Sequence, residues 1–308
     1  MTCLKNILAV YTDNVGANDV LSHATNLAIA NQADLTVIDV RPGDSATLSE
    51  LAERQKRLNR IVAAIRSEGL HDAKSIVIAG TPFLEIIRQV LIADHDLVII
   101  SAEPNASFIS YFFGSTVTHL MRKCPCPVWV VNPGQSHRYE NILACVNPTA
   151  AGDTELDQLI VDLALSMADK NCINPHIVHA WDVEGPDLDR IQSEIPDEVR
   201  SQILRDHEAE HRARLERLSL NRLNDKSAAC SLHFPRSAEP QWAILDLIVE
   251  LDVDLVVMGT VSRAGIPGFF IGNTAETVLS LVKCGVITVK PKGFISPVTV
   301  ESRLSVAA

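Results

Sequence analysis

Asp96-Leu97-Val98-Ile99-Ile100 recurs as Asp254-Leu255-Val256-Val257-Met258. Each run is short, almost wholly apolar and opened by an aspartate, the pattern of a strand buried on both faces. The copies continue in the same order on either side. Asn6-Ile7-Leu8-Ala9-Val10 returns as Asn141-Ile142-Leu143-Ala144-Cys145, and Phe112-Phe113-Gly114-Ser115-Thr116 as Phe270-Ile271-Gly272-Asn273-Thr274. Cys126-Pro127-Val128-Trp129-Val130-Val131-Asn132-Pro133 returns more loosely as Cys284-Gly285-Val286-Ile287-Thr288-Val289-Lys290-Pro291. The sequence is a duplication, and the second copy is longer between its second and third strands, over residues 182–225. A Pro/Gly/polar stretch at 133–138 reads as a linker. It predicts domains at residues 1–135 and 139–308.

Each copy alternates strand and helix. In the first, 7–11 reads as a strand, and 16–31 as a helix with Val20, Ala24, Leu27 and Ala28 at helical spacing. A strand at 34–40 precedes a helix at 45–68 with a charged outer face, ended by Gly69. After a strand at 75–79, Thr81-Pro82 opens a helix with Leu84, Ile87 and Leu91 on one face. A strand at 96–100, a helix at 114–123 and a strand at 127–131 complete the copy. Strands separated by helices of this length imply right-handed crossovers. The expected fold class is therefore α/β, with two tandem Rossmann-like units, each a five-stranded parallel sheet with helices on both faces.

The 308 residues (33.6 kDa) are 47% hydrophobic and 21% charged, an ordinary globular composition. A formal net charge of −11 argues against nucleic acid or an anionic membrane as partner. The 7 cysteines are odd in number and scattered, which suits a reducing cytoplasm better than a disulfide framework. The apolar run at 7–11 is too short for a signal peptide, and no run approaches membrane-spanning length. The expectation is a cytoplasmic protein without membrane insertion.

In open parallel sheets ligands bind beyond the carboxyl ends of the strands, where strand order reverses. In the second copy that place is the segment from Gly259 to Thr274. Gly272-Asn273-Thr274 opens a helix, whose free N–H groups and dipole favour a phosphate, and Arg263 adds charge from the loop. The competing reading is that Asn273 caps its helix and Glu276 completes a capping box.

This segment resembles the Gly-x2-Gly-x9-Gly-(Ser/Thr) motif of the universal stress protein family. The match runs through Gly259, Ser262, Gly272 and Asn273, with Met258 before it and Thr274-Ala275-Glu276 after it. The spacing is kept, while Ser262 stands for the second glycine and Asn273 for the final Ser/Thr. The resemblance covers both halves and is closest to the bacterial UspE-type tandem subgroup. It implies the nucleotide-binding fold of that family (the HUP type) in both domains, with a role in stress response as a sensor or regulator. It also implies a bound adenine nucleotide, ATP or ADP with or without Mg²⁺, as the small-molecule partner. In the first copy the motif positions hold Ser101, Pro104 and Gly114-Ser115, and Phe108, Tyr111, Phe112 and Phe113 crowd the loop. The acidic residue the family carries after its first strand is kept as Asp13 but replaced in the second copy by Val146-Asn147-Pro148. The nucleotide is therefore expected in the second copy. Its adenine would lie near Val146, Asn147, Pro148 and Ala180, and its phosphates along Met258, Gly259, Ser262, Arg263, Gly272, Asn273 and Thr274.

No residue supplies a convincing base or nucleophile, so no catalytic or metal-binding set is assigned. The alternatives are a ligand-binding or interaction scaffold with an apolar pocket in the first domain, and a slow ATPase. The family pairs its last strands as dimer edges. A tandem chain can meet that need internally, 128–131 against 286–289 about a pseudo-two-fold axis, with further homodimerisation left open.

Three other clusters are weighed. His207-Glu208-Ala209-Glu210-His211 matches the zinc-protease pattern, but its charged flanks predict a solvated helix. His176 and His179 flank a strand and read as core or edge histidines. Cys124-Pro125-Cys126-Pro127 looks like a redox or metal pair, but one intervening proline is poor spacing for a dithiol motif, and the family resemblance implies a structural Cys126 at the entry to the last strand.

Overall fold

The structure, a computed structural model, describes residues 4–13, 16–43, 46–102, 114–134, 138–148, 155–171, 173–183, 187, 191, 195–223, 230–260 and 271–300. These form two compact units. One comprises 4–134 with 260, 271 and 285–300, and the other 138–259 with 272–284.

In the first unit β1 (Asn6–Tyr11) is flanked by β2 (Asp34–Pro42) and β4 (Leu97–Ser101), with Asn6 opposite Asp34 and Ile7 opposite Leu97. β3 (Lys74–Gly80) lies outside β2 and β5 (Val128–Val131) outside β4, and all these pairs are parallel. The sheet gains one strand from the far end of the sequence. β10 (Gly285–Val289) runs antiparallel to β5, with Val286 opposite Val130 and Thr288 opposite Val128. The two apolar strands thus meet, the internal pairing that the family resemblance makes possible.

Helices α1 (Ala17–Asn31), α2 (Leu48–Ser67), α3 (Pro82–Ala93) and α4 (Ser115–Lys123) connect these strands. α1 buries Val20, Ala24, Leu27 and Ala28, as its spacing predicts. α2 starts from a capping box in which Thr47 and Glu50 satisfy each other's backbone N–H. In α3 the buried face is Glu85, Ile86, Ile87 and Val90 rather than the predicted Leu84, Ile87 and Leu91, of which Leu84 and Leu91 are half-buried. That helix is apolar on most sides, so periodicity alone does not choose its inner stripe.

In the second unit β6 (Ile142–Cys145) lies between β7 (His176–Val178) and β9 (Leu255–Gly259), with β8 (Ser231–His233) outside β7 and every pair parallel. Helices α5 (Glu155–Asn171), α6 (Asp197–Leu223), α7 (Pro240–Glu250) and α8 (Asn273–Leu281) complete it.

The duplication extends to individual hydrogen bonds. Asp96 accepts from the backbone N–H groups of Lys5 and Asn6 at 2.6 and 3.1 Å. Asp254 does the same for Glu140 and Asn141 at 2.7 and 3.2 Å. In each unit the aspartate before the fourth strand pins the entry to the first, which is why it opens the repeated run. Among the described residues no helix is long and apolar enough to cross a membrane.

Candidate functional site

The register of the second unit sets its carboxyl edge. Cys145 at the end of β6 lies opposite Val178 on one side and Met258 on the other. Val146, His179-Ala180 and Met258-Gly259 therefore share the carboxyl edge of the sheet, where strand order reverses. Val146 and Met258 are buried, Ala180 and Gly259 half-buried, Asn147 exposed and Pro148 buried. Val146 N–H donates to the Val178 carbonyl at 3.0 Å.

The turn after β6 has no carboxylate of its own, yet one reaches it. Asn147 N–H donates to Asp157 Oδ1 at 2.8 Å, and Asp157 is buried in the first turn of α5. Sequence reasoning missed Asp157. The available signal was its place in the acidic first turn of the following helix. Gly259 also has a local explanation: a Cβ there would stand 2.9 Å from Leu156 Cδ2 and 3.6 Å from Ile160 Cδ1. Close packing of α5 on β9 accounts for that glycine without a ligand.

The start of α8 differs from the capping-box reading. Gly272, in extended conformation, is the N-cap and brings no side-chain cap of its own. Asn273 is the first helical residue and is exposed, while Thr274 is half-buried. Glu276 donates its N–H to the Gly272 carbonyl at 2.8 Å, an ordinary helical bond. The first-turn amides are thus left without the side-chain acceptor that Ser, Thr, Asp or Asn at the cap would provide. The buried residues of α8 are Ala275, Val278 and Leu279, and the helix packs on α7. Ser262 and Arg263 lie outside the described residues.

Imidazoles crowd the end of β7. His179 Nε2 and His211 Nδ1 are 2.8 Å apart, one donating and one accepting. Trp181 stacks on His211 with centroids 5.1 Å apart, and its Nε1–H donates to the Phe234 carbonyl at 2.9 Å. Burial holds His179 neutral, with its pKa lowered to about 4. His207 Nε2 faces Asp187 Oδ2 at 3.2 Å, whereas Glu208 and Glu210 pair with Arg212 and Arg214 on the same helix. The predicted solvated helix is therefore only half so: its histidines turn inward and its glutamates outward. The inner face of α6 also carries buried Ile203, Leu215 and Leu218, which the charged flanks disguise.

In the first unit the retained acidic residue is already engaged. Asp13 takes a two-pronged bond from Arg57, 2.7 Å at each oxygen, and the Arg57 hydrogen bond lowers its pKa. Behind it, buried Asp39 takes the same fork from Arg54 at 2.9 and 2.6 Å. Gly16 sits where a Cβ would come 1.9 Å from Ser101 Oγ and 3.2 Å from Pro133 Cγ. Ser101, in place of the motif's first glycine, therefore packs into the turn after β1. Phe108, Tyr111, Phe112 and Phe113 lie outside the described residues. A groove of about 340 Å³ runs between α1 and α2, lined by Tyr11, Leu21, Ile61 and Ile65 with Asn18 and Glu68 among its polar residues.

A duplicated sheet-and-helix unit whose strand order reverses beside its first strand defines a tandem protein of the doubly wound α/β class. Residues 4–132 and 138–290 each match the model of the universal stress protein family. The sequence is 30% identical over 237 residues to Universal stress protein E of Salmonella typhi, covering 73% of this chain and 70% of that protein. Universal stress protein E of Escherichia coli K12 is 29% identical over 236 residues, with the same coverage. Among solved structures, a functionally unknown protein from Pseudomonas aeruginosa PAO1 superposes with a TM-score of 0.74 at 22% identity, covering 94% of this chain and 93% of that one. A universal stress protein from Archaeoglobus fulgidus DSM 4304 gives 0.66 at 16% identity, covering 94% and 99%. The chain belongs to the universal stress protein family.

Proposed function

We propose that this is a cytoplasmic stress-response protein that binds ATP or ADP in its second domain and acts as a sensor or regulator. The domains are read as 1–135 and 139–308, in keeping with the two family matches. The observation that carries the proposal is the start of α8, where the N-cap is a glycine and offers the first-turn amides no side-chain acceptor of its own. Adenine would rest by Val146, Asn147, Pro148 and Ala180. The phosphates would follow Met258, Gly259, Ser262, Arg263, Gly272, Asn273 and Thr274. Mg²⁺ would arrive with the nucleotide, because Asp157 is already bonded to the backbone of Asn147. With no base placed for attack, the reading favours binding over turnover and leaves a slow ATPase as a subsidiary reading.

Calorimetric titration of the full chain with ATP and ADP, with and without Mg²⁺, tests this. Heat of binding is expected from the natural sequence, and a loss of about tenfold or more in affinity from Gly272→Val. No heat from the natural sequence would end the proposal.

The groove beside Tyr11 favours a second reading, a scaffold that holds an amphipathic ligand in the first domain. Native mass spectrometry of freshly purified protein would reveal such a ligand as an added mass. The β5–β10 pairing supports reading the chain as an intramolecular pseudo-dimer. Sedimentation would report any further homodimer.

A further inference from the structure

Cys124 and Cys126 bring their sulfurs to 3.6 Å across a single proline. Cys124 caps α4, giving its N–H to the Leu120 carbonyl at 2.8 Å, and is fully buried, while Cys126 is 9% exposed. The neighbouring Cys124 and burial raise the pKa of the Cys126 thiol.

A cation in an unusual setting lies near the end of α4, the helix that Cys124 caps. Lys290, immediately after β10, is only 6% exposed. Its Nζ donates to Thr260 Oγ1 at 2.5 Å and lies 5.1 Å from the centre of the Phe294 ring. Thr260 is itself fully buried, and its hydroxyl approaches the Met121 carbonyl at the end of α4 at 3.5 Å. Among the described residues no carboxylate pairs with Lys290. Burial lowers its pKa to about 8, and a charge on Cys124 would raise it again. A buried ammonium with a hydroxyl and a ring for company favours an anion next to it.

We propose that Cys124 and Cys126 form a two-sulfur site for copper(I), with Lys290 balancing the charge of the complex. Soft thiolates select a soft monovalent ion, and two ligands suit one that needs no more. Two S–H bonds break, two S–Cu bonds form and two protons leave to solvent. Copper stays in the +1 state and no electron moves. The product carries one negative charge, which the Lys290 ammonium offsets. A disulfide would be neutral and give Lys290 nothing to balance. Geometry points the same way. A linear S–metal–S unit with bonds near the ~2.3 Å of zinc–thiolate needs the sulfurs to part by about 1 Å. A disulfide needs them to close by about 1.5 Å.

The test is competition without oxygen between the full chain and bicinchoninate for copper(I), followed by the chelator's colour. The natural sequence should withdraw one equivalent, with two sulfur neighbours in the copper K-edge spectrum. Cys126→Ser should lose that equivalent. Lys290→Met, which keeps both thiols and removes a buried charge, should bind copper(I) about 10–100-fold more weakly, as loss of an outer-shell partner does. The proposal is overturned if copper stays on the chelator, if Cys126→Ser takes up as much, or if Lys290→Met binds no less tightly. A Cys124–Cys126 disulfide formed by diamide in protein that takes up no copper overturns it too.

Discussion

Arg54 grips Asp39 with both prongs of its guanidinium, at 2.9 and 2.6 Å, and the carboxylate side chain is only 5% exposed. One turn along α2, Arg57 holds Asp13 in the same way, but there both partners are more than half exposed. The two forks look alike and should weigh very differently. Arg57→Ala should cost no more than about 1 kcal/mol, since solvent screens the pair. Arg54→Ala leaves a buried carboxylate without its partner and should cost roughly 2–3 kcal/mol, with much of the loss recovered by adding Asp39→Asn. Urea unfolding of the three variants checks this. Equal effects for the two arginines would contradict it.

Gly16 and Ser101 occupy the turn where a nucleotide would enter the first unit, and they leave each other no room. Gly16→Ala should destabilise the protein by about 1–3 kcal/mol through overpacking. Ser101→Gly, which removes both clashing atoms, should restore most of it. Ser101→Ala should restore less, because Ser101 Cβ would still lie 2.8 Å from the new methyl group. Thermal melting of the single and double variants reads the difference.

His179 makes stability depend on acidity. Its folded pKa of about 4 lies below the ordinary 6.5, through burial first and the neighbouring His211 second. Between those values the unfolded chain binds a proton that the folded chain refuses. The contribution of this residue is therefore complete above pH 6.5 and lost as pH falls toward 4, by up to about 3 kcal/mol. Denaturant unfolding over that range should show a shallower pH slope in His179→Gln. Some slope should remain, because burial also lowers the pKa of His176 and His233.

Asp96 and Asp254 each satisfy two backbone N–H groups at the entry to a first strand. Asp96→Ala and Asp254→Ala should each cost about 1–3 kcal/mol by leaving those donors without an acceptor. Hydrogen exchange should speed up at Lys5 and Asn6 in one variant, and at Glu140 and Asn141 in the other. Faster exchange spread evenly over both units would argue against so local a role.

The two tandem α/β units and their parallel pairing were legible because the apolar runs repeat and parallel sheets follow from strand–helix alternation. The burial of α1 was legible for the same reason, its small and apolar residues falling on one stripe. Local chemistry was less so. Asn273 looks like a cap, but backbone conformation gives that position to Gly272. Gly259 fits a phosphate loop, but Leu156 of α5, distant in sequence, already explains it. Nothing in the residues next to Asp157, His211 and Lys290 marks them as inward-facing. Each is drawn inward by a partner that only tertiary structure supplies: the Asn147 amide, the His179 ring and the Thr260 hydroxyl.

The antiparallel seat of β10 on β5 has a consequence for biosynthesis. A ribosome delivers residues 4–134 long before 285–289, so the nascent first unit waits with β5 as an open margin while the whole second copy is made. The sequence Val128-Trp129-Val130-Val131 is then available to any other extended segment, including its counterpart on a neighbouring polysome. Final closure of the amino-terminal unit thus waits for residues 285–289, which follow nearly all of the second copy.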